Sequence, residues 1–291
     1  MSSPPTSPSG TVLLLGGTGK VGSRIAPLLQ EADVPCLVAS RAGSAPAGLM
    51  GVRFDWEDES TWEPIFRTAI EAVYLIAPGL ANQTEIMKKF IGLAREKGVS
   101  RFVLQSASSL EEDGPLMGKT HRYLRELGDE GKIGWAVLRP TWFQENFLED
   151  HHRRSLKEES KIYSATGPGR IPWISAQDIA SVGFHALISP QPANADLTVL
   201  GPESLTYADL AEIFTLILGR KIMYHELSES ELAARHQRFG VPAEYASILA
   251  AMDTAIRNGA EDRTSDVVRS VTSREPRRFE DFVKANREAW S

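Results

Sequence analysis

Thr11-Val-Leu-Leu-Leu-Gly-Gly-Thr-Gly-Lys-Val-Gly22 is the stretch of sequence that decides the fold. Residues 11–15 are apolar or β-branched, which is typical of a buried parallel strand. Three glycines follow at the spacing G-x-x-G-x-x-G, and a helical pattern then places Val21, Ile25 and Leu29 on one face. A strand, a glycine turn and a helix in this order predict a dinucleotide site at the N-terminus of the helix.

Each glycine of the motif has its own predicted role. Gly16 permits the tight turn, Gly19 lets the backbone approach a pyrophosphate, and Gly22 lets the helix pack closely on the strand. A glycine pattern alone is a weak signal, and the strand before it and the helix after it make it specific. We therefore expect cofactor contacts from Gly16, Thr18, Gly19, Lys20, Val21 and Gly22.

Composition excludes several classes of protein. The chain has 291 residues, with 38 acidic against 32 basic side chains and a formal charge of −6. This balance, without a Lys/Arg run, argues against binding to nucleic acid or to an anionic membrane. The sequence has neither an apolar run of membrane-spanning length nor a signal-peptide pattern, and its one cysteine, Cys36, falls in a strand pattern as a buried thiol. We expect a cytoplasmic protein.

Strand and helix patterns alternate without a break as far as residue 138. Further strands are predicted at 35–39, 51–54, 72–77, 101–106 and 134–138, with helices at 57–66, 83–97 and 115–128. This alternation predicts the α/β class, with a Rossmann-type doubly wound parallel sheet. Ligands of such a sheet collect at the carboxyl ends of the strands.

The predicted organisation has three parts. Residues 1–10 are rich in Pro and Ser and are expected to form a disordered tail. Residues 11–141 form the Rossmann domain, and 142–291 form a smaller substrate-side lobe that is interwoven with the sheet. In that lobe we predict short strands at 161–165 and 197–200, a helix at 174–187 and mostly helical structure from 206 to 290.

The residues after the second strand indicate the choice of cofactor. An acidic residue at this point binds the ribose 2′-hydroxyl of NAD, whereas an arginine accommodates the 2′-phosphate of NADP. Ser40-Arg41 has no acidic neighbour, which favours NADP(H). We expect Lys119, on the helix after strand five, to donate a hydrogen bond to the nicotinamide ribose. The other strand ends and this helix complete the predicted cofactor-binding set, which is Asp55, Trp56, Ala77, Pro78, Ser106, Lys119, Pro140 and Thr141.

The usual proton donor of short-chain dehydrogenases is missing from the sequence. Those enzymes place a Tyr four positions before a Lys on the helix after strand five, and here Pro115 stands four positions before Lys119. Reduction of a ketone needs such an acid, whereas hydride addition to an iminium carbon gives a neutral amine without a proton. The pattern favours an iminium substrate, or a protein that senses NADP without catalysis.

Few residues remain as candidates for chemistry. Lys119 and His121 are the candidate catalytic residues, although a surface lysine and a packed histidine explain them equally well. Trp142, Phe143 and Asn146 follow the sixth strand, where substrate is expected, and aromatic faces can hold a cation. We expect Asp178 to start a helix and His151-His152 to be solvated, and we expect no bound metal.

Several segments resemble one family. Leu14-Leu-Gly-Gly-Thr-Gly-Lys-Val-Gly22, Val38-Ala-Ser-Arg41 and Phe54-Asp-Trp56 are similar to the NmrA-like atypical short-chain dehydrogenases. Leu138-Arg-Pro-Thr-Trp-Phe143, Lys161-Ile-Tyr-Ser-Ala-Thr-Gly167 and Ala251-Met-Asp253 resemble the festuclavine and agroclavine dehydrogenases of ergot-alkaloid biosynthesis. The resemblance implies NADPH-dependent reduction of a cyclic iminium in an indole alkaloid, as part of fungal secondary metabolism.

Two alternatives to that reductase stay open. A cyclase on the same scaffold, of the Pictet–Spengler or cycloaddition type, would need a general acid or base, and Glu145, Tyr163 or His121 could serve. A sensor that binds NADP without catalysis would need none. With either enzyme, we expect the small-molecule substrate to contact Trp142, Phe143, Glu145, Asn146 and Tyr163. The sequence leaves the oligomeric state undetermined.

Overall fold

A computed structural model describes residues 10–291, apart from the side chains of Asp150 and His151. All but the last residue of the tail predicted at 1–10 lies outside the described residues. The strands are β1 (Thr11–Leu15), β2 (Cys36–Ser40), β3 (Met50–Arg53), β4 (Ile70–Ile76), β5 (Arg101–Gln105), β6 (Gly134–Pro140), β7 (Lys161–Ser164), β8 (Ala195–Val199) and β9 (Met223–Glu226).

Helices fill much of the remaining chain. They are α1 (Gly22–Glu31), α2 (Gln83–Glu96), α3 (Met117–Asp129), α4 (Asp150–Arg154), α5 (Ala176–Ile188), α6 (Tyr207–Leu218), α7 (Glu229–Arg238), α8 (Ala243–Arg257), α9 (Val267–Thr272) and α10 (Phe279–Ala285). Short 3₁₀ turns lie at Glu59–Thr61, Glu63–Arg67, Gln144–Leu148 and Arg287–Trp290, and a π turn lies at Ser155–Glu159. Across residues 10–291, no helix has the length and apolar character needed to cross a membrane.

The chain divides into two compact units that do not follow a single boundary. The first unit contains residues 10–140 together with Ala176–Val199 and Val267–Arg274. The second contains Thr141–Ser175, Leu200–Asp266 and Glu275–Ser291. The boundary predicted at residue 141 would place Ala176–Val199 and Val267–Arg274 in the substrate-side lobe. They belong to the first unit, because β8 pairs with β6 and α9 packs on α5.

The first unit has the predicted Rossmann-type architecture. Its seven strands lie in the order β3-β2-β1-β4-β5-β6-β8, and each pair is parallel. The order reverses between β1 and β4, where a ligand crevice is expected. Val12, Leu13, Leu14 and Leu15 are fully buried, as the apolar run of β1 predicts for a sheet covered on both faces.

One predicted helix of this unit is replaced by two shorter turns. The segment 57–66 was expected to be continuous, but it forms the 3₁₀ turns at Glu59–Thr61 and Glu63–Arg67. The Asp58 carboxylate accepts the backbone N–H of Ser60 and caps the first turn. Pro64 then lies in the first turn of the second, where it lacks the N–H that a continuous helix would use.

The second unit has an aromatic core. Large rings dominate its buried cluster, namely Phe147, Trp173, Tyr207, Phe214, Phe279, Phe282 and Trp290. Thr206 and Ser228 start α6 and α7 with complete capping boxes. The prediction of mostly helical structure after residue 206 missed β9, a short and mostly exposed strand that pairs with β7. Its partner β7 is distant in sequence, so local pattern gave no signal for it.

Candidate functional site

A cleft in the first unit brings together many of the residues predicted to contact a cofactor. It has a volume of about 440 Å³, within the usual range of small-molecule sites of roughly 300–1,000 Å³. It lies at the carboxyl ends of β1, β2 and β4, beside the reversal of strand order. Among the residues that line it are Gly16, Thr18, Gly19, Ser40, Arg41, Asp55, Trp56, Ala77 and Pro78.

The glycine loop leaves space where a dinucleotide would need it. A Cβ at Gly22 would lie 2.6 Å from the carbonyl oxygen of Gly16, so the turn and helix start require glycine there. Gly16 itself has a φ of +65°, which glycine adopts without strain. A Cβ at Gly19 would meet only the Gly16 oxygen, at 3.2 Å, among the described atoms. The open space beside Gly19 is a cradle that a side chain would fill, and it fits the phosphates of NAD(P).

Arg41 is placed to bind an anion in the same cleft. Its side chain is exposed, lines the cleft and has no ion-pair partner among residues 10–291. The Ser40 hydroxyl instead donates a hydrogen bond to the carbonyl oxygen of Ser44 at 2.8 Å, which closes the loop after β2. Arg41 is therefore the cation of this loop that remains available to a ligand phosphate.

Ser106 has an unmet hydrogen bond at a neighbouring strand end. Its backbone N–H donates to the carbonyl oxygen of Leu138 at 2.8 Å, but its buried Oγ has no partner among the described residues. Ile76 pairs with Gln105, so the sheet register places Ser106 beside Ala77, which lines the cleft. Buried hydroxyls are normally paired, and a bound group at this strand end would satisfy this one.

Other predicted cofactor residues do not line the cleft. Val21 is only 2% exposed and packs in the core at the start of α1. Lys20 is half-buried beside the glycine loop, and Pro140 is buried at the end of β6. Thr141 begins the second unit, where its hydroxyl donates to the buried Glu261 carboxylate at 3.0 Å.

The two candidate catalytic residues differ in their surroundings. Lys119 is exposed in the first turn of α3, and Pro115 lies before that helix begins. His121 is 2% exposed, and its ring packs against that of Trp135 with 5.8 Å between centroids. Burial lowers the pKa of His121, so the imidazole is neutral at pH 7. This environment is that of a packed core histidine.

A second cavity, of about 300 Å³, lies within the second unit. It includes Trp142, Asn146 and Tyr163 from the predicted substrate set. Glu145 is 6% exposed and does not line it, and Phe143 forms a parallel bridge to Ile174 instead. The remaining lining comes from residues that the sequence patterns did not single out as ligand contacts or that were expected elsewhere: Glu149, His152, Tyr207, Leu232, His236, Tyr245, Leu249 and Asp253.

His152 was wrongly expected to be solvated. Its ring is half-buried, packs against that of Phe147 with 4.8 Å between centroids and lines this cavity. The π turn at Ser155–Glu159 directly follows its helix, α4, and local sequence gave no sign of that geometry. The side chain of His151 lies outside the described residues.

Asp253 is a buried acidic residue of this cavity that sequence reasoning did not select as a ligand contact. Its carboxylate is 7% exposed, and Oδ2 accepts the backbone N–H of Ala165 at 2.8 Å. A signal was present, since Asp253 lies on the same buried stripe of α8 as Ala246, Ala250 and Ile256. An acidic residue on the apolar stripe of a helix has to be paired or functional.

Comparison with known proteins identifies the family. The family model described as NAD(P)H-binding matches residues 16–190, which include the glycine loop, Arg41 and the strand ends of the cleft. The chain belongs to the NAD(P)H-binding family.

Individual relatives of this NAD(P)H-binding protein match almost the whole of its chain. Festuclavine synthase II of Penicillium roqueforti is 41% identical over 97% of this chain and 100% of its own length. Agroclavine dehydrogenase of Claviceps fusiformis is 42% identical over 96% of this chain and 98% of its own length. The triphenylmethane reductase of a Citrobacter species, crystallised with NADP(H), is 19% identical but superposes with a TM-score of 0.78 over 94% of this chain and 99% of its own.

These matches confirm the resemblance seen in the sequence. The chain is a member of the festuclavine and agroclavine dehydrogenase group and an oxidoreductase that binds NAD(P)H. The solved neighbour has the same fold and carries its own cofactor, which agrees with the Rossmann architecture described above.

Proposed function

We propose that the protein is an NADPH-dependent reductase of a cyclic imine or iminium in a polycyclic indole alkaloid. The observation that carries this proposal is Pro115, which occupies the position of the usual tyrosine acid and lies outside α3. Membership of the festuclavine and agroclavine dehydrogenase group supports the indole-alkaloid class of substrate.

The chemistry explains why the missing acid favours an iminium. When bound, NADPH supplies hydride to the substrate carbon. The hydride pair forms a C–H bond at the iminium carbon and the C=N π pair moves to nitrogen as a lone pair, so the nitrogen becomes a neutral amine and no proton is taken up. A ketone would instead yield an alkoxide that needs a donor within hydrogen-bond reach. The protein is left with the tasks of binding, orienting and excluding water.

We propose that different strand ends contact different parts of the cofactor. The backbone N–H groups at Gly16–Gly22 and the N-terminus of α1 would hold the pyrophosphate. Arg41, Asp55 and Trp56 line the same cleft. Arg41 would pair with the 2′-phosphate, and Asp55 and Trp56 would contact the adenosine. Ser106, Lys119, Pro140 and Thr141 are proposed to contact the nicotinamide half, with Lys119 donating to its ribose.

On the substrate side, the cavity of the second unit supplies apolar and aromatic walls. Trp142, Tyr163 and Tyr245 line it, with the Arg235 guanidinium already over the Tyr163 ring at 3.7 Å, and aromatic faces stabilise a nearby cation by roughly 0.5–2 kcal/mol each. Asn146 contributes a neutral amide that can orient a polar group of the substrate. We propose that these residues bind the planar indole and its charged ring.

Product analysis tests the proposal. The full-length protein is incubated with NADPH and a 3,4-dihydro-β-carbolinium salt, and the reaction is followed by NADPH absorbance and product mass. Reductase activity consumes one NADPH for each amine formed, and the product carries one added hydride. A redox-neutral product from an amino-aldehyde substrate, without loss of NADPH, would contradict the proposal and support the cyclase. Binding of NADPH without turnover of any iminium would support the sensor.

A further inference from the structure

The carboxylate of Asp253 lies in the cavity of the second unit with one oxygen left without a partner. Oδ2 accepts the backbone N–H of Ala165 at 2.8 Å. Oδ1 accepts no hydrogen bond from residues 10–291, although the residue is 7% exposed and lines the cavity. An acidic side chain this buried normally has a cation as its partner, and none of the described residues forms an ion pair with Asp253.

The nearest cation on its own helix is committed elsewhere. The guanidinium of Arg257 donates to the carbonyl oxygen of Ala165 at 2.9 and 2.7 Å and pairs with Glu226 at 2.8 Å. No ion pair joins Asp253 to any described residue. Burial accordingly raises the pKa of Asp253 to about 6, with the Ala165 N–H and the charge of Arg257 opposing that rise.

The surroundings of the carboxylate match a flat cation. Tyr207, Tyr163 and Trp142 contribute rings to the lining, and Leu232 and Leu249 contribute apolar surface. A volume of about 300 Å³ is at the small end of ligand sites, which suits a molecule of three or four fused rings. A negative charge among aromatic faces recognises an organic cation by an ion pair and by cation–π contact together.

We propose that Asp253 is the counter-ion of the substrate: it binds the positively charged nitrogen of a fused-ring amine or iminium in this cavity and excludes neutral molecules of the same shape. The inference rests on the proposed function, whose iminium substrate supplies the charge. It adds a residue that selects ligands by charge, in a segment distant from the glycine loop. Desolvation of the unpaired carboxylate costs free energy in the ligand-free protein, and attraction to a bound cation offsets that cost.

A binding measurement tests the proposal without turnover. The probe is N-methyl-3,4-dihydro-β-carbolinium, whose charge does not depend on pH, and the neutral comparison is the lactam of the same ring system. Titration calorimetry uses the full chain loaded with NADP⁺. Asp253→Asn should weaken binding of the cation by about 10- to 100-fold, the usual effect of losing one charged hydrogen bond, and leave the lactam within about twofold.

A matched variant controls for the loss of a carboxylate from the same helix. Glu244 is exposed on α8 and does not line the cavity, so Glu244→Gln should bind both probes as the wild type does. Equal affinity of Asp253→Asn and wild type for the cation would overturn the proposal. An equal loss for cation and lactam would overturn it as well, because it would mean a change of cavity shape and not of charge.

The pH dependence of the unmodified protein gives a test that needs no variant. Ionised Asp253 is present above a pKa of about 6, so affinity for the quaternary cation should fall between about pH 8 and about pH 5. Asp253→Asn should flatten that profile. Any slope that remains belongs to the other titratable and charged groups around the cavity: His236 on α7, His152 on α4, Glu149, Arg257 and the tyrosines Tyr163, Tyr207 and Tyr245.

Failure of the inference and failure of the proposed function give different results. If wild type and Asp253→Asn both reduce the carbolinium and bind it with equal affinity, the proposed reductase activity is supported and the role of Asp253 as counter-ion is contradicted. If binding is charge-selective but no reduction occurs, the role of Asp253 is supported and the proposed reductase activity is contradicted. Wild-type affinity that is the same at about pH 8 and about pH 5 would overturn the inference whether or not the variant folds.

Discussion

The cleft of the first unit and the cavity of the second are built from different parts of the polypeptide. The cleft depends on backbone: a turn that only glycine can make, a helix N-terminus and strand ends fixed by a parallel sheet. The cavity depends on side chains from α4, β7, α6, α7 and α8. Backbone sites tolerate few substitutions and bind a constant ligand, whereas side-chain sites can be altered residue by residue. Under the proposed function, the cofactor binds the cleft of the first unit and the substrate binds the cavity of the second.

The strongest test of the backbone site is Gly19→Val. The side chain would enter the open space of the cleft, because only the Gly16 oxygen lies within reach of a Cβ there. We expect cofactor binding to fall by more than about 100-fold while circular dichroism and melting temperature stay close to wild type. Gly22→Val is the matched contrast and should unfold the turn, since its Cβ has no room. Normal NADPH binding by a folded Gly19→Val variant would contradict the assignment of the cofactor to this loop.

Arg41→Ala tests the choice between the two nicotinamide cofactors. Loss of one charge-assisted contact should weaken NADPH by about tenfold or more and leave NADH nearly unchanged. Arg53→Ala is the control, because Arg53 is exposed on β3, pairs with Asp58 and does not line the cleft. Calorimetric titration of both cofactors decides the question. An unchanged preference for NADPH in Arg41→Ala would mean that another group selects it.

Trp142→Ala tests the side-chain site. Removal of an aromatic wall should raise KM for the carbolinium by roughly tenfold with a smaller change in kcat. Phe143→Ala supplies the contrast, since the neighbouring ring does not line the cavity and should affect KM less. Steady-state kinetics at saturating NADPH separates the two constants. Equal effects of the two variants would argue against the cavity as the substrate site.

Lys119→Ala and His121→Gln should have smaller effects on the chemical step. If the substrate is an iminium, neither residue delivers a proton, and each variant should lose less than the roughly 10²–10⁴-fold typical of a missing acid or base. Single-turnover loss of NADPH absorbance at saturating cofactor measures this step. His121→Gln needs a folding check, because the ring packs on Trp135. Collapse of the chemical step in either variant would favour the cyclase or a carbonyl reductase.

A further effect is expected on stability, because the second unit keeps the charge of Asp253 buried. The pKa of Asp253 is about 6 in the folded protein against 3.8 as the reference, so its contribution to stability is full below about pH 4 and is lost as pH rises through 6. Asp253→Asn should therefore be more stable than wild type at pH 7, by up to about 3 kcal/mol, and equal to it near pH 3.5. Melting temperatures at both pH values check this. A variant less stable than wild type at pH 7 would contradict it.

Sequence patterns predicted the cleft well and the cavity poorly, for a physical reason. β1 and the glycine turn encode their structure in consecutive residues, so the motif could be identified from Thr11–Leu15 and the spacing that follows. Arg41 and Asp55 then follow from strand order alone. The cavity residues, by contrast, come together only through tertiary packing, as Tyr207 and Asp253 do from separate helices.

The cavity lining of the second unit supports the same explanation. Trp142 and Asn146 were predicted because they directly follow a sheet strand, which is a local rule. His152 was misplaced because its neighbours, Phe147 and Tyr207, form an aromatic cluster that no short pattern encodes. Asp253 was detectable only by asking why a carboxylate lies on a buried helical stripe.

The chain passes between its two units at residues 140/141, 175/176, 199/200, 266/267 and 274/275. A recombination event that exchanged the second unit for that of another protein would have to preserve all of these junctions at once. A fragment that ended at residue 140 would also leave β6 without β8, and an unpaired strand edge invites aggregation. Neither unit is therefore a single continuous segment that could be exchanged for that of another protein in one step.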